Sequence, residues 1–584
     1  MIRKFNLLLL LIVFSLISQS QILNIRNGRG SVTECYIDGV RIDFGSTAPK
    51  NKYWVYFSDK NNSIYSASNA EQFLSERAID RRNRLKIGIN ESDFPVNENY
   101  ILEMYNRGID IEVRSRWLNA VSAYLNEDQV IKVSQLPFVT QISRVNNYHM
   151  VDENTLPTNN NVFYKAAATT DISGVYGRTK NQIEQINLDT ILELGHRGGD
   201  MVIAVIDAGF FGMDTATLFQ SMWDKGQILG FHNFPDDNDQ VFNIYSGYHG
   251  SWVSSVIGGD IDSVFSGSAP DVKMFLFRTE IADSEYVVEE DHWLEAAELA
   301  DYLGVDIINS SLGYTTFDDS LQNHTYADLD GNTTVVTKAA DMAASKGILV
   351  CNSAGNEGGN TWHYVSMPSE GDSVFSIGAV DSLGIHAGFS GYGPTSDGRL
   401  KPNVVALGVL SAVLDPGGNI YNLGGTSFAS PLIAGACASL WGAFPSRTNM
   451  EIMDAVQQSA HLHLTPNDTM GYGIPNFGLA FEILKATEPE DSVIIEDTTL
   501  VSIEVLPNPA SNFFSIFIES HLNENAEIQI INLQGEMMYS ENIYLQNNLK
   551  ESFTIPINEQ YAPGIYILSI VTKNAKQSVR VFVN

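Results

Sequence analysis

The chain has 584 residues, 69 acidic and 35 basic, for a formal net charge of −34, and 44% of its residues are hydrophobic. That length allows several independent cores, and the composition excludes a disordered chain. The acidic excess argues against nucleic acid or an anionic membrane surface as a partner and is the ordinary mark of a soluble protein.

Residues 1–20 carry Arg3 and Lys4, then an apolar run from Leu7 to Ile17, then Ser18, Gln19 and Ser20, a pattern that predicts a cleaved signal peptide. The run is shorter than the roughly 18 apolar residues a spanning helix needs, and no later segment approaches that length, so no transmembrane anchor is expected after signal removal. From 21 to 150 the pattern predicts a small α+β unit. Its strands fall over 52–57, 109–114, 119–125 and 139–145, and its helices over 71–82 and 127–135. Residues 151–175 form a polar linker, Asn-rich and without clear periodicity.

The segment 176–485 carries the chemistry. Residues 201–206 (MVIAVI) read as a buried parallel strand with Asp207 at its carboxyl end, the edge where open α/β sheets hold ligands. His249 precedes a run of small and apolar residues suited to a helix packed on a sheet, so the imidazole is expected at a helix start. A second strand over 347–351 runs into Asn356 among small residues that let its carboxamide approach a carbonyl closely. Ser427 opens an alanine-rich helix that tolerates Pro431 near its first turn, which puts the hydroxyl at a positive helix end. A serine hydroxyl alone is a weak nucleophile. It needs a histidine to take its proton and a carboxylate to orient that histidine, and His249 and Asp207 are the residue types required. Each motif alone reads as well as a structural cap; four in one order do not.

Three cysteines cannot build a regular disulfide framework. Cys351 and Cys437 read as small core residues, and Cys35 lies far upstream in a region expected to be removed, so the mature protein is expected to depend on no disulfide. The acidic turns at 235–239 (PDDND) and 326–332 (YADLDGN) offer oxygen ligands for a structural calcium or serve as solvated turns, and no cofactor is required for the chemistry. His461 and His463 lack partners at metal-ligand spacing and read as surface or packing residues. After an acidic linker over 486–500, residues 501–584 alternate as an all-β module. Strands around 513–518, 526–533, 552–556, 564–571 and 578–583 predict a small β-sandwich.

VIDAGF at Asp207, HGSWV at His249, SAGNEG at Asn356 and GGTSFASP at Ser427 together resemble the motifs of the subtilase catalytic domain, whose chain order is Asp, His, Ser. The resemblance implies a subtilisin-like α/β fold, a parallel sheet flanked by helices, and a secreted serine endopeptidase acting on protein or peptide substrates. Asp207 would orient His249, the general base and acid; Ser427 would be the nucleophile; Asn356 and the Ser427 backbone N–H would hold the oxyanion. Within NSSLG (309–313), Ser311, Leu312 and Gly313 would pair with the substrate backbone. Two positions depart from the family pattern. Ala208 replaces a hydroxyl residue beside the catalytic aspartate, and Trp252 stands where a second histidine is usual. Rate and specificity effects are expected from them rather than inactivity.

The 21–150 unit resembles the ferredoxin-like propeptide of subtilases, which implies a zymogen whose residues 142–148 lead toward the cleft and whose cut falls in 151–175. PNPAS (507–511), INLQGE (531–536) and YAPGIYILSI (561–570) resemble the C-terminal sorting domain of type IX secretion. That implies a Bacteroidetes-like host, passage through the periplasm across the outer membrane by the type IX machinery, and release or display at the cell surface. Four alternatives stand beside these readings: a catalytically degenerate, surface-displayed binding protein on the same scaffold; an esterase or transpeptidase using the same triad; a permanent accessory domain at the N-terminus; and a carbohydrate-binding sandwich at the C-terminus.

Overall fold

The computed structural model describes residues 34–37, 40–43, 51–149, 166–167, 174–244, 247–281, 284–487 and most of 501–583. The expected signal peptide and nearly all of the two linkers lie outside the described residues. Contacts divide the chain into two compact units, 1–486 and 487–584.

The first part of the larger unit contains β1 (Asn51–Phe57), α1 (Glu76–Arg84), α2 (Glu98–Asn106), β2 (Ile111–Ser115), β3 (Ala120–Leu125), α3 (Glu127–Ser134) and β4 (Val139–His149). The strands form one antiparallel sheet in the order β2-β3-β1-β4. Ser75 caps α1 by accepting from the Ala78 N–H, and Asn126 and Gln129 make a reciprocal capping box at α3. Helix α2 departs from the sequence reading, because its buried apolar residues are only Ile101 and Met104, too few for a helical stripe to stand out. Period-two alternation splits the sheet between two cores. Val55, Phe57, Val121 and Ala123 pack inside this unit with Ile101 and Met104. Trp54, Val113 and Ala120 share a core with Trp293, Leu294 and Ala297 of the following domain.

That domain is built on seven parallel strands: β5 (Val202–Asp207), β6 (Ile228–Asn233), β7 (Lys273–Arg278), β8 (Ile307–Ser310), β9 (Leu349–Ser353), β10 (Phe375–Val380) and β11 (Val404–Leu407). Their spatial order is β11-β10-β9-β8-β5-β7-β6. Helices α4 (Tyr248–Gly258) and α7 (Thr426–Ala443) share a core with one face of the sheet. Helices α5 (Val288–Leu303) and α6 (Val335–Ser345) share one with the other face. The sheet is therefore covered on both sides, which is why β5 is buried at every position and reads as a continuous apolar run.

The sheet of β1 to β4 meets α5 through buried charge as well as apolar area. Asp301 of α5 accepts from Arg81 at 2.5 Å, Arg82 at 2.8 Å and Arg116 at 2.9 Å. Glu298 takes the Ser115 hydroxyl and the Arg116 and Trp117 N–H groups, and Asp291 takes Lys52 and the Trp54 indole.

The smaller unit contains β12 (Val501–Leu506), β13 (Phe513–Ser520), β14 (Glu524–Asn532), β15 (Met537–Leu545), β16 (Leu549–Pro556), β17 (Gly564–Thr572) and β18 (Lys576–Val583). They make a three-stranded sheet, β12-β13-β16, and a four-stranded one, β15-β14-β17-β18. Phe514, Ile516 and Ile518 of the first share a core with Ile528, Ile530, Leu568 and Ile570 of the second. The sandwich has two strands more than the sequence pattern gave. β15 (MMYSENIYL) is mostly exposed and carries no apolar alternation to betray it.

Candidate active site

Asp207 is the last residue of β5, fully buried, and lies level with Arg278 of the neighbouring β7. Its Oδ1 accepts from His249 Nδ1 at 2.7 Å and from the Ala208 N–H at 2.8 Å. Accepting from Nδ1 fixes the imidazole tautomer and leaves Nε2 as the basic nitrogen. His249 is in the first turn of α4, as expected. Close backbone approach makes this possible: the Gly250 N–H donates to the Gly209 carbonyl at 3.0 Å, and a Cβ on Gly250 would sit 2.4 Å from that oxygen. Burial alone would lower the His249 pKa; the facing Asp207 carboxylate, helped by Glu280, more than reverses this, so the net shift is upward.

The second Asp207 oxygen, Oδ2, is buried and has no hydrogen-bond partner among the described residues. Ala208 explains it, since a serine or threonine there would bring a hydroxyl. Trp252 is accounted for by structure. Its indole donates to Asp415 Oδ1 at 3.0 Å and its ring stacks on Tyr248, tying α4 to the strand Ser411–Asp415. Tyr248 in turn borders a cavity of about 260 Å³ lined also by Phe211, Phe242, Asn243 and Pro416.

Ser427 is the second residue of α7, 3% exposed, and its neighbour Phe428 stacks at a tilt on His249 with ring centroids 6.2 Å apart. Pro431 lacks the N–H that would bond the Ser427 carbonyl one turn earlier. Ser311 Oγ fills that gap by donating to the Ser427 carbonyl at 3.0 Å, while Ser427 Oγ donates to the Ser311 carbonyl at 3.4 Å. The NSSLG segment is thus fastened to α7 at Ser311, while Leu312 is half-buried and Gly313 exposed.

Asn356 is exposed, and its Oδ1 accepts from both the Thr426 N–H at 2.9 Å and the Thr426 hydroxyl at 3.0 Å. With the oxygen so held, the amide nitrogen is the end that can donate to a ligand. Thr426 escaped the sequence reading although it adjoins Ser427, because nothing local shows that it fastens a loop remote in sequence. Glu280 was missed for a similar reason. It follows β7, is bonded by Tyr314 Oη at 2.7 Å and Thr279 Oγ1 at 2.9 Å, and burial pushes its carboxyl up to about 7, with Asp207 adding to the rise.

Among the described residues, the acidic side chains whose oxygens converge to within 4.8 Å are Glu280, Glu285 and Glu289, not the two acidic turns singled out for calcium. In the first turn Asp236 is spent on Asn233 and Arg278; in the second Asp328 caps Thr325 and Asp330 caps Asn332. His461 is exposed and accepts from the Ile474 N–H, and His463 is half-buried with its ring tilted against Tyr472.

Three family models match. The Subtilase family model covers residues 198–473, the Bacteroidota peptidase S8 propeptide domain model covers 52–161, and the secretion system C-terminal sorting domain model covers 504–584. Subtilisin NAT of Bacillus subtilis subsp. natto is 26% identical over 356 residues, 61% of this chain and 78% of its own. Subtilisin of Bacillus pumilus is 29% identical over 280 residues, 48% of this chain and 90% of its own. Among solved structures, the MycP3 protease of the type VII (ESX-3) secretion system aligns with a TM-score of 0.43 at 20% identity, covering 55% of this chain and 91% of that one. The central domain is that of a serine-type peptidase. The chain carries a subtilase domain, with a propeptide domain of the Bacteroidota type before it and a secretion sorting domain after it. The sorting domain indicates export, and no described helix is long and apolar enough to cross a membrane.

Proposed function

We propose that the protein is an exported serine endopeptidase, held as a zymogen until it is cut within 151–175, and that Asp207, His249 and Ser427 carry out the hydrolysis. His249 Nε2 takes the Ser427 proton as Oγ attacks a peptide carbonyl, and the Asp207 carboxylate stabilises the imidazolium that forms. The carbonyl oxygen becomes an oxyanion between Asn356 Nδ2 and the Ser427 N–H at the positive start of α7. His249 then gives its proton to the leaving amine, and water, deprotonated in its turn by His249, releases the acid and restores Ser427. Ser311, Leu312 and Gly313 hold the substrate backbone by strand pairing. Calcium has no assigned part in these steps.

The observation that carries this reading is the 2.7 Å contact between His249 Nδ1 and Asp207 Oδ1, with Ser427 at the start of a helix whose next residue, Phe428, packs its ring against the same histidine. A fluorophosphonate probe tests it. The matured protein should be labelled on Ser427, and Ser427→Ala or His249→Ala should lose the label. A folded, matured protein that takes none would contradict the reading and leave the binding-protein alternative.

A further inference from the structure

A hairpin of two strands, Ser411–Asp415 and Asn419–Leu423, stands just before Ser427, and a third strand, Ala166–Ala167, completes its sheet. The inner strand is buried at every position and fastened to α4: the Leu414 N–H donates to Ser255 Oγ at 3.0 Å, and the Trp252 indole reaches Asp415. The outer strand is exposed or half-buried as far as Asn422. Its far side is therefore an anchored strand edge at the surface, the kind that pairs with an extended chain. Ala166–Ala167, from the linker that carries the proposed cut, take that edge, with Ala166 level with Asn422 and Ala167 with Tyr421. Direction ties the edge to the reaction. Because the pairing is antiparallel, a chain on this edge enters at the Leu423 end, the end nearer to Ser427 in sequence, and leaves toward Asn419. Residues ahead of Ala166 thus lie toward the nucleophile and those after Ala167 lead away from it, the polarity of a chain whose scissile bond precedes Ala166. Asn422 is five positions from Ser427, at most about 18 Å of extended chain, so a bond within roughly five residues ahead of Ala166 is in reach of the Ser427 hydroxyl. A bond after Ala167 would need the chain to double back along the edge.

We propose that the outer edge of Asn419–Leu423 binds the leaving-group side of the substrate as an added antiparallel strand, and that Ala166–Ala167 are its first occupant in the uncleaved chain. This rests on Ser427 as the nucleophile and names what the site takes beyond the scissile bond: an extended peptide of at least two or three residues on the amine side. Recognition runs through the backbone, so the edge adds affinity without choosing among side chains. Once the chain is cut, Ala166–Ala167 are a bound product held by two residue pairs, and an incoming substrate displaces them.

The test uses the matured protein and one acyl-side peptide sequence, carried either on an anilide or followed by one, two or three residues. Going from one leaving-side residue to three should raise kcat/KM by roughly tenfold. Methylating the leaving-side backbone nitrogens one at a time should remove the gain at alternate positions, as an antiparallel ladder requires. Rates that ignore the length of the leaving side, from an enzyme that hydrolyses the anilide, would overturn this inference alone. No turnover of any substrate, with no fluorophosphonate label, would overturn the reading of the active site and this inference with it. A second measurement is the first new N-terminus that forms in the wild type and not in Ser427→Ala. It should lie within about five residues ahead of Ala166; one that falls after Ala167 would put the strand on the wrong side of the cut and overturn the proposal.

Discussion

The two ends of α5 carry buried carboxylates of opposite character. At its C-terminal end Asp301 is enclosed by Arg81, Arg82 and Arg116, all from the propeptide; burial pushes its carboxyl up, and the three guanidinium groups bring it below the ordinary value. At its N-terminal end Glu289 converges with Glu280 and Glu285 to within 4.8 Å, and all three are held above the ordinary carboxylate range, chiefly by burial, with Asp207 adding to the rise of Glu280 and Glu280 adding to that of the other two. There Glu289 is satisfied by the N–H groups of Ile281 and Tyr286 rather than by a cation. Carboxyl groups gathered at the two ends of one helix are ionised at one end and inclined to keep their protons at the other, and the neighbours decide which. The paired end belongs to the propeptide contact and would lose its counter-charges on the proposed cut within 151–175. The unpaired end belongs to the peptidase itself and sits beside Asp207 and His249.

The largest effect separates these roles outright. Ser427→Ala should abolish hydrolysis while leaving the Asp301 cluster and the propeptide contact intact, so the variant should keep its propeptide, which should melt together with the peptidase domain. At the paired end, Asp301→Ala leaves three buried guanidinium groups without their acceptor and should cost about 3–5 kcal/mol, read as a lowered unfolding midpoint of the unprocessed chain. Near-neutral behaviour would mean that the propeptide is held by its apolar face, through Trp54 and Val113, alone. Within the cleft, Asn356→Ala should lower kcat by about a hundredfold to a thousandfold with KM little changed, the range known for the equivalent donor of subtilisin. Unchanged turnover would remove Asn356 from the oxyanion site.

The unpaired end makes a prediction about pH. Glu280 has its carboxyl raised in the fold from 4.5 to about 7, so the stability tied to its neutral form is fully present below 4.5 and is lost as pH rises through about 7. Glu280→Gln, which stays neutral, should therefore gain stability relative to the parent between pH 5 and 8, by about 3 kcal/mol at most. A pH-independent difference would mean that Glu280 does not change its charge on folding. Asp301 works in the other direction: its contribution is present above the ordinary carboxylate value and fades as pH falls through its lowered one. The smallest effect is at Ala208. A hydroxyl there would give the unpartnered Asp207 Oδ2 a donor, so Ala208→Ser should add about 1 kcal/mol of stability and raise turnover modestly. A loss on both counts would show that the unpaired oxygen is needed as it stands.

Which parts were legible in the sequence follows from range. Asp207, His249, Asn356 and Ser427 each stand at the end of a strand or the start of a helix, and local pattern announces such places. What holds them was hidden, because it is made between segments far apart in the chain. Ser311 fills the bonding gap that Pro431 leaves at Ser427, Thr426 turns the Asn356 amide, and Arg81, Arg82 and Arg116 converge on Asp301. The sequence shows Arg81 and Arg82 as ordinary charges on an exposed helix; only the packing of α1 against α5 buries them. The same reasoning covers α2 and β15, whose few buried residues left too weak a periodicity to read.

The central proposal is that Ser427 performs the chemistry, and its most direct consequence would be that the cut within 151–175 is made by the chain itself. Intact mass of the wild type and of Ser427→Ala, expressed and incubated in parallel, tests it most directly. The account predicts that the wild type loses its N-terminal portion through a cut within 151–175 while the variant retains it. Identical, unprocessed masses from two folded proteins, or the same cut in both, would contradict self-processing by Ser427.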